Sequence, residues 1–166
     1  DVVVLQHAVT NEYDQAAEQM QETVKAVEGM NACFFWPGED AGNAAMAKVL
    51  RLAGNKGTRR LPPGDFLLAL LGSQGLVTNS SWGIRECSYL GVSTLNLGSR
   101  QSGRERAGNV IDLPHDYKQI RNEIHAQLSI DGEGGWLPSS NLYGDGHAGE
   151  RIAQILAGEK VREAVA

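Results

Sequence analysis

The stretch Thr78-Asn79-Ser80-Ser81-Trp82-Gly83-Ile84 runs from an apolar strand end into the start of a helix. Two serines there can cap the helix, or turn hydroxyls and free N–H groups toward an anion. A helix N-terminus carries about half a positive charge, so a phosphate would be well placed. A plain N-cap explains the same residues, and Asn79-Ser80-Ser81 also scans as a glycosylation sequon without any sign of secretion. Glu86 follows about one and a half turns after Ser80 and can face the same cleft. Its two oxygens suit a pair of ribose hydroxyls; the alternative is a solvated carboxylate paired with Arg85 or Arg100. Next comes Gly98-Ser99-Arg100-Gln101-Ser102-Gly103-Arg104-Glu105-Arg106, with three arginines and two glycines in one loop. Glycine lets backbone approach a ligand, and arginine forks onto phosphate. Such a loop reads as a site for a small anion or as a solvated basic turn. His7 ends the first apolar run, where it can donate to a phosphate, act as general acid or base, or serve structure alone.

Other residues carry less. His115, His125 and His147 receive no role, and no two of the four histidines show metal-ligand spacing, so no metal site is expected. Leu142-Tyr143-Gly144-Asp145-Gly146-His147 reads as a turn whose Asp145 can cap the final helix. Lys48 and Arg51 share a helix face and read as solvated. Cys33 and Cys87 read as inert, core or near-core thiols. Three signatures are missing: a Gly-x-Gly-x-x-Gly after the first strand, a Walker loop and a Gly-x-Ser-x-Gly nucleophile elbow.

These positions need a scaffold. Val2–Gln6, Ala32–Trp36, Thr58–Leu61, Gly75–Thr78, Ser93–Leu97 and Asn109–Asp112 read as short strands. Between and after them, Glu12–Val27, Asn43–Ala53, Phe66–Leu71, Ser80–Leu90, Tyr117–Leu128 and His147–Leu156 repeat apolar residues at helical spacing. Thr10 or Asn11, Asp65 and Asp116 are the expected caps. Alternation with short connections predicts one α/β domain with a doubly wound parallel sheet of about six strands. In such sheets ligands bind beyond the carboxyl ends of the strands. Topology alone therefore selects His7, the Pro37-Gly38-Glu39-Asp40 turn, Asn79-Ser80-Ser81 and Gly98-Ser99-Arg100.

Composition bounds the partners. The 166 residues carry a net charge of -5 and 21% charged side chains, which argues against duplex nucleic acid. A hydrophobic share of 42% suits a packed core. Two cysteines do not suggest a secreted disulfide framework. No apolar run approaches the ~20 residues of a membrane span, and no secretory leader pattern is visible, so a cytoplasmic location is expected. Glycine supplies 20 residues, well above the usual share of about 7%, and turns near a ligand would use them. Asp1 has no preceding Met and the first strand starts at Val2, which suggests a piece of something longer.

Taken in order, Asn79-Ser80-Ser81-x-Gly83-Ile84-Arg85-Glu86, Leu95-Asn96-Leu97-Gly98-Ser99-Arg100-Gln101-x-Gly103-Arg104-Glu105, Asn109-Val110 and Tyr143-Gly144-Asp145-Gly146 resemble the UDP-N-acetylglucosamine 2-epimerase family. Gln6-His7-Ala8-Val9-Thr10 and Trp36-Pro37-Gly38-Glu39-Asp40-Ala41-Gly42 resemble further motifs of its hydrolysing branch, which makes N-acetylmannosamine and UDP for sialic acid-type sugars. The resemblance runs from about His7 to Ile155. It implies the C-terminal half of a GT-B fold, two Rossmann-like domains facing a cleft, with the N-terminal half and its proton-transferring carboxylates absent from this chain. It implies UDP or a UDP-sugar as ligand, no cofactor, no metal, and a homo-oligomer formed mainly through the absent half. By the same resemblance Ser80, Ser81 and Arg100 hold the diphosphate and Glu86 holds the ribose. His7 stands beside the phosphates or the sugar as the catalytic candidate. Gly38 and Asp40 lie near the uracil or ribose.

The sequence also departs from the family pattern. Ala8 stands where proline is usual, and Asn11 near a usual threonine. Gly38 replaces a common asparagine and Glu39 adds a charge beside it, so the base is open; relatives act on GDP-linked or differently acetylated sugars. The implied reaction eliminates UDP to a glycal and then adds water with inversion at C2. This chain alone is expected to bind nucleotide with little turnover. A GT-B glycosyltransferase domain and a non-catalytic nucleotide-sugar sensor are the competing readings, and the Arg100–Glu105 block favours the epimerase.

Overall fold

A computed structural model describes residues 1–54, 57, 61–127 and 137–158. Five strands form one sheet: β1 (Val2–Leu5), β2 (Ala32–Phe35), β3 (Gly75–Thr78), β4 (Thr94–Leu97) and β5 (Val110–Leu113). Their order is β2-β1-β3-β4-β5, and every neighbouring pair is parallel. Parallel strands need crossover helices, and those helices cover both faces. On one face Val2, Val4, Val77, Leu95 and Leu97 pack with Met20 of α1 (Ala16–Ala26), Met46 and Leu50 of α2 (Asn43–Leu52), and Ile120 and Ile124 of α6 (Tyr117–Gln127). On the other, Val3 and Leu76 pack with Phe66 and Leu70 of α3 (Pro63–Leu71). Alternate residues of β1 and β3 thus go to opposite layers, and the fold is doubly wound and Rossmann-like.

Several boundaries differ from the sequence expectation. The sheet has five strands among the described residues. Of the sixth, Thr58–Leu61, residues 58–60 lie outside them and Leu61 is not in a strand. The first helix opens with a 3₁₀ segment, Thr10–Gln15, and neither Thr10 nor Asn11 caps it. Asp65 is no cap either, because α3 starts two residues earlier on Pro63, whose missing N–H costs nothing at a first turn. Asp116 does cap, accepting the Gln119 N–H at 2.9 Å; Leu128 lies outside the described residues. The helix expected over Ser80–Leu90 is two short pieces, α4 (Ser81–Ile84) and α5 (Glu86–Leu90), broken at Arg85. Cys33 is exposed on β2, while Cys87 is buried and its thiol is pushed up to about 12. The last helix, α7 (Ala148–Leu156), buries none of its residues.

Gly83 shows why α4 can sit on the sheet. A Cβ there would lie 2.5 Å from Thr94 Cγ2 and 2.7 Å from Thr78 Cγ2. Only glycine lets the turn after β3 come down so close to the strands.

Candidate functional site

The chain order reverses between β1 and β3, since β2 lies on one side of β1 and β3 on the other. A crevice opens beyond the carboxyl ends of strands at such a point. Here it is a groove of about 990 Å³ whose lining includes His7, Gly38, Ser80, Ser81, Trp82 and Arg100.

Asn79 ties its floor together. Its Oδ1 accepts the His7 N–H at 2.8 Å and its Nδ2 donates to the His7 carbonyl at 2.8 Å. The ends of β1 and β3 are thereby stapled through a buried side chain. Its own carbonyl accepts Gln101 Nε2 at 2.7 Å and Arg100 Nη1 at 3.2 Å, which brings the turn after β4 to the same point. Three strand ends meet on one residue.

His7 Nδ1 accepts the Gly38 N–H at 2.9 Å. That bond selects the tautomer with its proton on Nε2, so the neutral ring is a donor. Burial and then the Arg100 charge hold the imidazole below its ordinary value, while Asp40 acts the other way. A Cβ on Gly38 would stand 3.1 Å from His7 Nδ1, so this hydrogen bond needs a small residue there. Asp40 lies 3.9 Å from Arg100 Nη2, with both side chains about one-third exposed (38% and 32%). Asp40 therefore accompanies the cation at the groove's edge.

The two serines divide their work. Ser80 N–H donates to Thr78 Oγ1 at 2.9 Å, and Ser80 Oγ accepts from the Trp82 N–H at 3.4 Å, so its backbone donor serves the turn while its O–H remains a donor on the groove lining. Among the described residues, Ser81 keeps its N–H and hydroxyl free, and it lines the groove. With four residues, α4 has little macrodipole. The electropositive character comes from Arg100 and discrete donors instead of a helix end.

These residues sit inside a family match. The description of UDP-N-acetylglucosamine 2-epimerase fits residues 1–157. The chain belongs to that family. Among curated relatives, a UDP-N,N'-diacetylbacillosamine 2-epimerase (hydrolyzing) of Legionella pneumophila is 29% identical over 93% of this chain and 41% of the relative. A UDP-N-acetylglucosamine 2-epimerase of Neisseria meningitidis serogroup B is 27% identical over 90% of the chain, again 41% of the relative. A polysialic acid biosynthesis protein P7 of Escherichia coli is 48% identical over 61 residues, 37% of this chain and 16% of the relative. The chain thus spans about two-fifths of the first two relatives' length.

Within this epimerase domain one expected site residue stands apart. Glu86 does not line the groove of His7 and Ser81. It faces a second depression of about 520 Å³ with Leu67, Tyr89 and Tyr143. Glu86 opens α5 just past the break at Arg85, so it does not follow Ser80 along one straight helix. Its Oε2 is buried and has no partner among the described residues. An unmet carboxylate oxygen is an acceptor waiting for a hydroxyl or N–H donor.

Sequence reasoning overlooked Asn79 as an organiser, although an Asn directly after a strand can pair with both backbone groups of its neighbour. It also overlooked an aromatic wall. Phe66 meets Phe35 edge-on at 4.9 Å and Trp82 edge-on at 4.9 Å, and all three line the groove. Arg51, read as solvated, lies over the Trp36 ring at 5.2 Å and lines the groove as well.

Proposed function

We propose that this chain is the nucleotide-holding, C-terminal domain of a two-domain hydrolysing 2-epimerase acting on a UDP-linked N-acetylated sugar. The observation that carries the reading is the convergence of three donors at the switch point. They are the Nε2–H of a neutral His7, the free hydroxyl and N–H of Ser81, and the guanidinium of Arg100. In the proposed reaction a base takes the C2 proton, the C1–O bond to UDP breaks and a glycal forms. Water then adds, its hydroxyl to C1 and a proton to C2 on the opposite face. Charge grows on the departing diphosphate, and fixed donors favour that state over the bound substrate. His7 fits as donor to that charge. Glu86 completes the nucleotide site by accepting a ribose hydroxyl in the neighbouring depression. The groups that move the C2 proton belong to the rest of the enzyme, in keeping with a chain that covers 41% of its relatives.

Product analysis in heavy water tests the reaction. The intact protein, given UDP-N-acetylglucosamine or its diacetamido counterpart, should release free UDP and a sugar carrying deuterium at C2. Release of UDP without exchange, or epimerised sugar still attached to UDP, would reject the hydrolysing reading. Titration with UDP, GDP and CMP tests the base, since the preferred nucleotide should raise Tm the most.

A further inference from the structure

The loop that carries Arg100 is braced from behind by residues outside the groove. Gly98 opens the turn at φ +68°, and a Cβ there would stand 2.4 Å from His115 Nε2. The His115 ring is the wall against which the turn rests. The hydroxyl of the next residue, Ser99, donates to Glu12 Oε1, a contact across 87 positions of sequence. The other carboxylate oxygen of Glu12 accepts Gln19 Nε2 at 2.7 Å, and Gln19 is buried on α1. The backbone of Glu12 leaves the helical region, at φ -131° and ψ 25°, inside the 3₁₀ segment. The bond from Ser99, then the one from Gln19, hold its carboxyl below the usual carboxylate range, so it stays an ionised acceptor.

We infer that Glu12 is a positioning residue: it anchors Ser99 to α1 and so fixes the adjacent Arg100 over the groove for the diphosphate of the nucleotide. The inference rests on the proposed role of Arg100. A free arginine side chain would give up several rotatable bonds on meeting a phosphate, whereas a loop already pinned on both sides gives up less. One side is the Asn79 carbonyl, which holds Arg100 and Gln101. The Glu12–Ser99 contact is the other.

The test compares UDP with uridine, followed by NMR titration of the intact protein. Glu12→Ala and Ser99→Ala should each weaken UDP about 3–10-fold, the worth of one exposed hydrogen bond, and leave uridine unchanged. The double variant should be no weaker than the worse single one, because both remove the same contact. Glu12→Gln should recover most of the loss, since its amide can still donate to Ser99 Oγ and accept from Gln19. Ser99→Ala removes only an exposed hydroxyl, so it keeps the test informative should Glu12→Ala disturb α1. Unchanged UDP affinity in Ser99→Ala, or equal losses for UDP and uridine, would overturn the inference. Arg100→Ala is the control. If it leaves UDP binding intact, the reading of Arg100 falls; if it alone weakens UDP, only the role of Glu12 falls.

Discussion

Arg100 and Arg151 both reach an oxygen acceptor in a turn, yet the two turns are built differently. Around Arg100 the partners come from far along the chain: His7 pairs with Asn79 across 72 positions, and Arg100 and Gln101 reach Asn79 across 21 and 22. Asn79 and Gln101 are buried. Around Arg151 the partner is Asp145, six positions away, with both side chains about half exposed (54% and 40%). The first cluster is assembled by the sheet and exists only when three strand ends are in place. The second is a local turn that stops at its own helix. The proposed reaction, which needs fixed donors for a departing anion, would belong on the first kind of support.

The largest test of this contrast is Asn79→Ala. It strands the His7 N–H and carbonyl, each of which costs about 1–3 kcal/mol when left unpaired away from water. The expected loss is about 3 kcal/mol in urea unfolding, with UDP affinity falling as well. A loss below about 1 kcal/mol would mean that water or a shifted turn replaces the staple. Gly83→Ala comes next. Its methyl meets Thr94 and Thr78 on the sheet, neither a flexible tip, so about 1–3 kcal/mol of overpacking is expected. UDP binding should fall too, because α4 carries Ser81. Unfolding midpoints and UDP titrations of the same variant check both halves.

A pH series gives the intermediate effect. Burial holds both His7 and His115 below the ordinary 6.5, Arg100 adding to the effect at His7. Asp40 at His7 and Glu12 at His115 oppose it. Since the folded form takes protons less readily, the unfolded chain protonates first as pH falls through 6.5. Stability from these rings is therefore complete above that pH and declines as pH drops toward the lowered folded values. The urea midpoint should be lower at about pH 5.5 than at about pH 7.5, and His7→Gln combined with His115→Gln should flatten the difference. An equally steep decline in that double variant would place the titration elsewhere.

The contrast also explains what could be read from sequence. Periodicity found the five strands of the sheet because parallel strands are short Val-, Leu- and Phe-rich runs, and the rule of strand ends then selected His7, the Pro37–Asp40 turn, Asn79-Ser80-Ser81 and Gly98-Ser99-Arg100 without a motif. Of these, His7, Pro37, Gly38, Glu39, Ser80, Ser81 and Arg100 line one groove, while Asp40, Asn79, Gly98 and Ser99 do not. Periodicity could not show the break at Arg85, since the apolar pattern continues through it, and so could not show that Glu86 opens a separate short helix and lines its own depression. Nor could it show Asn79 as a staple or Glu12 as a brace. Both act through partners more than 70 positions away, and only the folded sheet makes them neighbours.

The smallest effect should come from the local turn. Arg151 grips Asp145 with two donors, one at 3.0 Å, and the His147 N–H adds a third bond at 3.1 Å. The pair holds the Asp145 carboxyl far below its usual range. In a buried site so large a shift would signal strong coupling to folding. Here both groups stand in water, which screens the charges and hydrates either partner once the other is removed. No residue of α7 is buried, so little packing depends on how the turn is held. Arg151→Ala should therefore leave the urea midpoint, and UDP affinity, unchanged within error, and added salt should not alter that result. A drop comparable to that of Gly83→Ala would show that the turn supports the Glu86 depression through Tyr143, whose hydroxyl donates to the Glu105 carbonyl at 2.7 Å. The distinction between an assembled cluster and a local one would then have to be drawn at Tyr143 instead of at the start of α7.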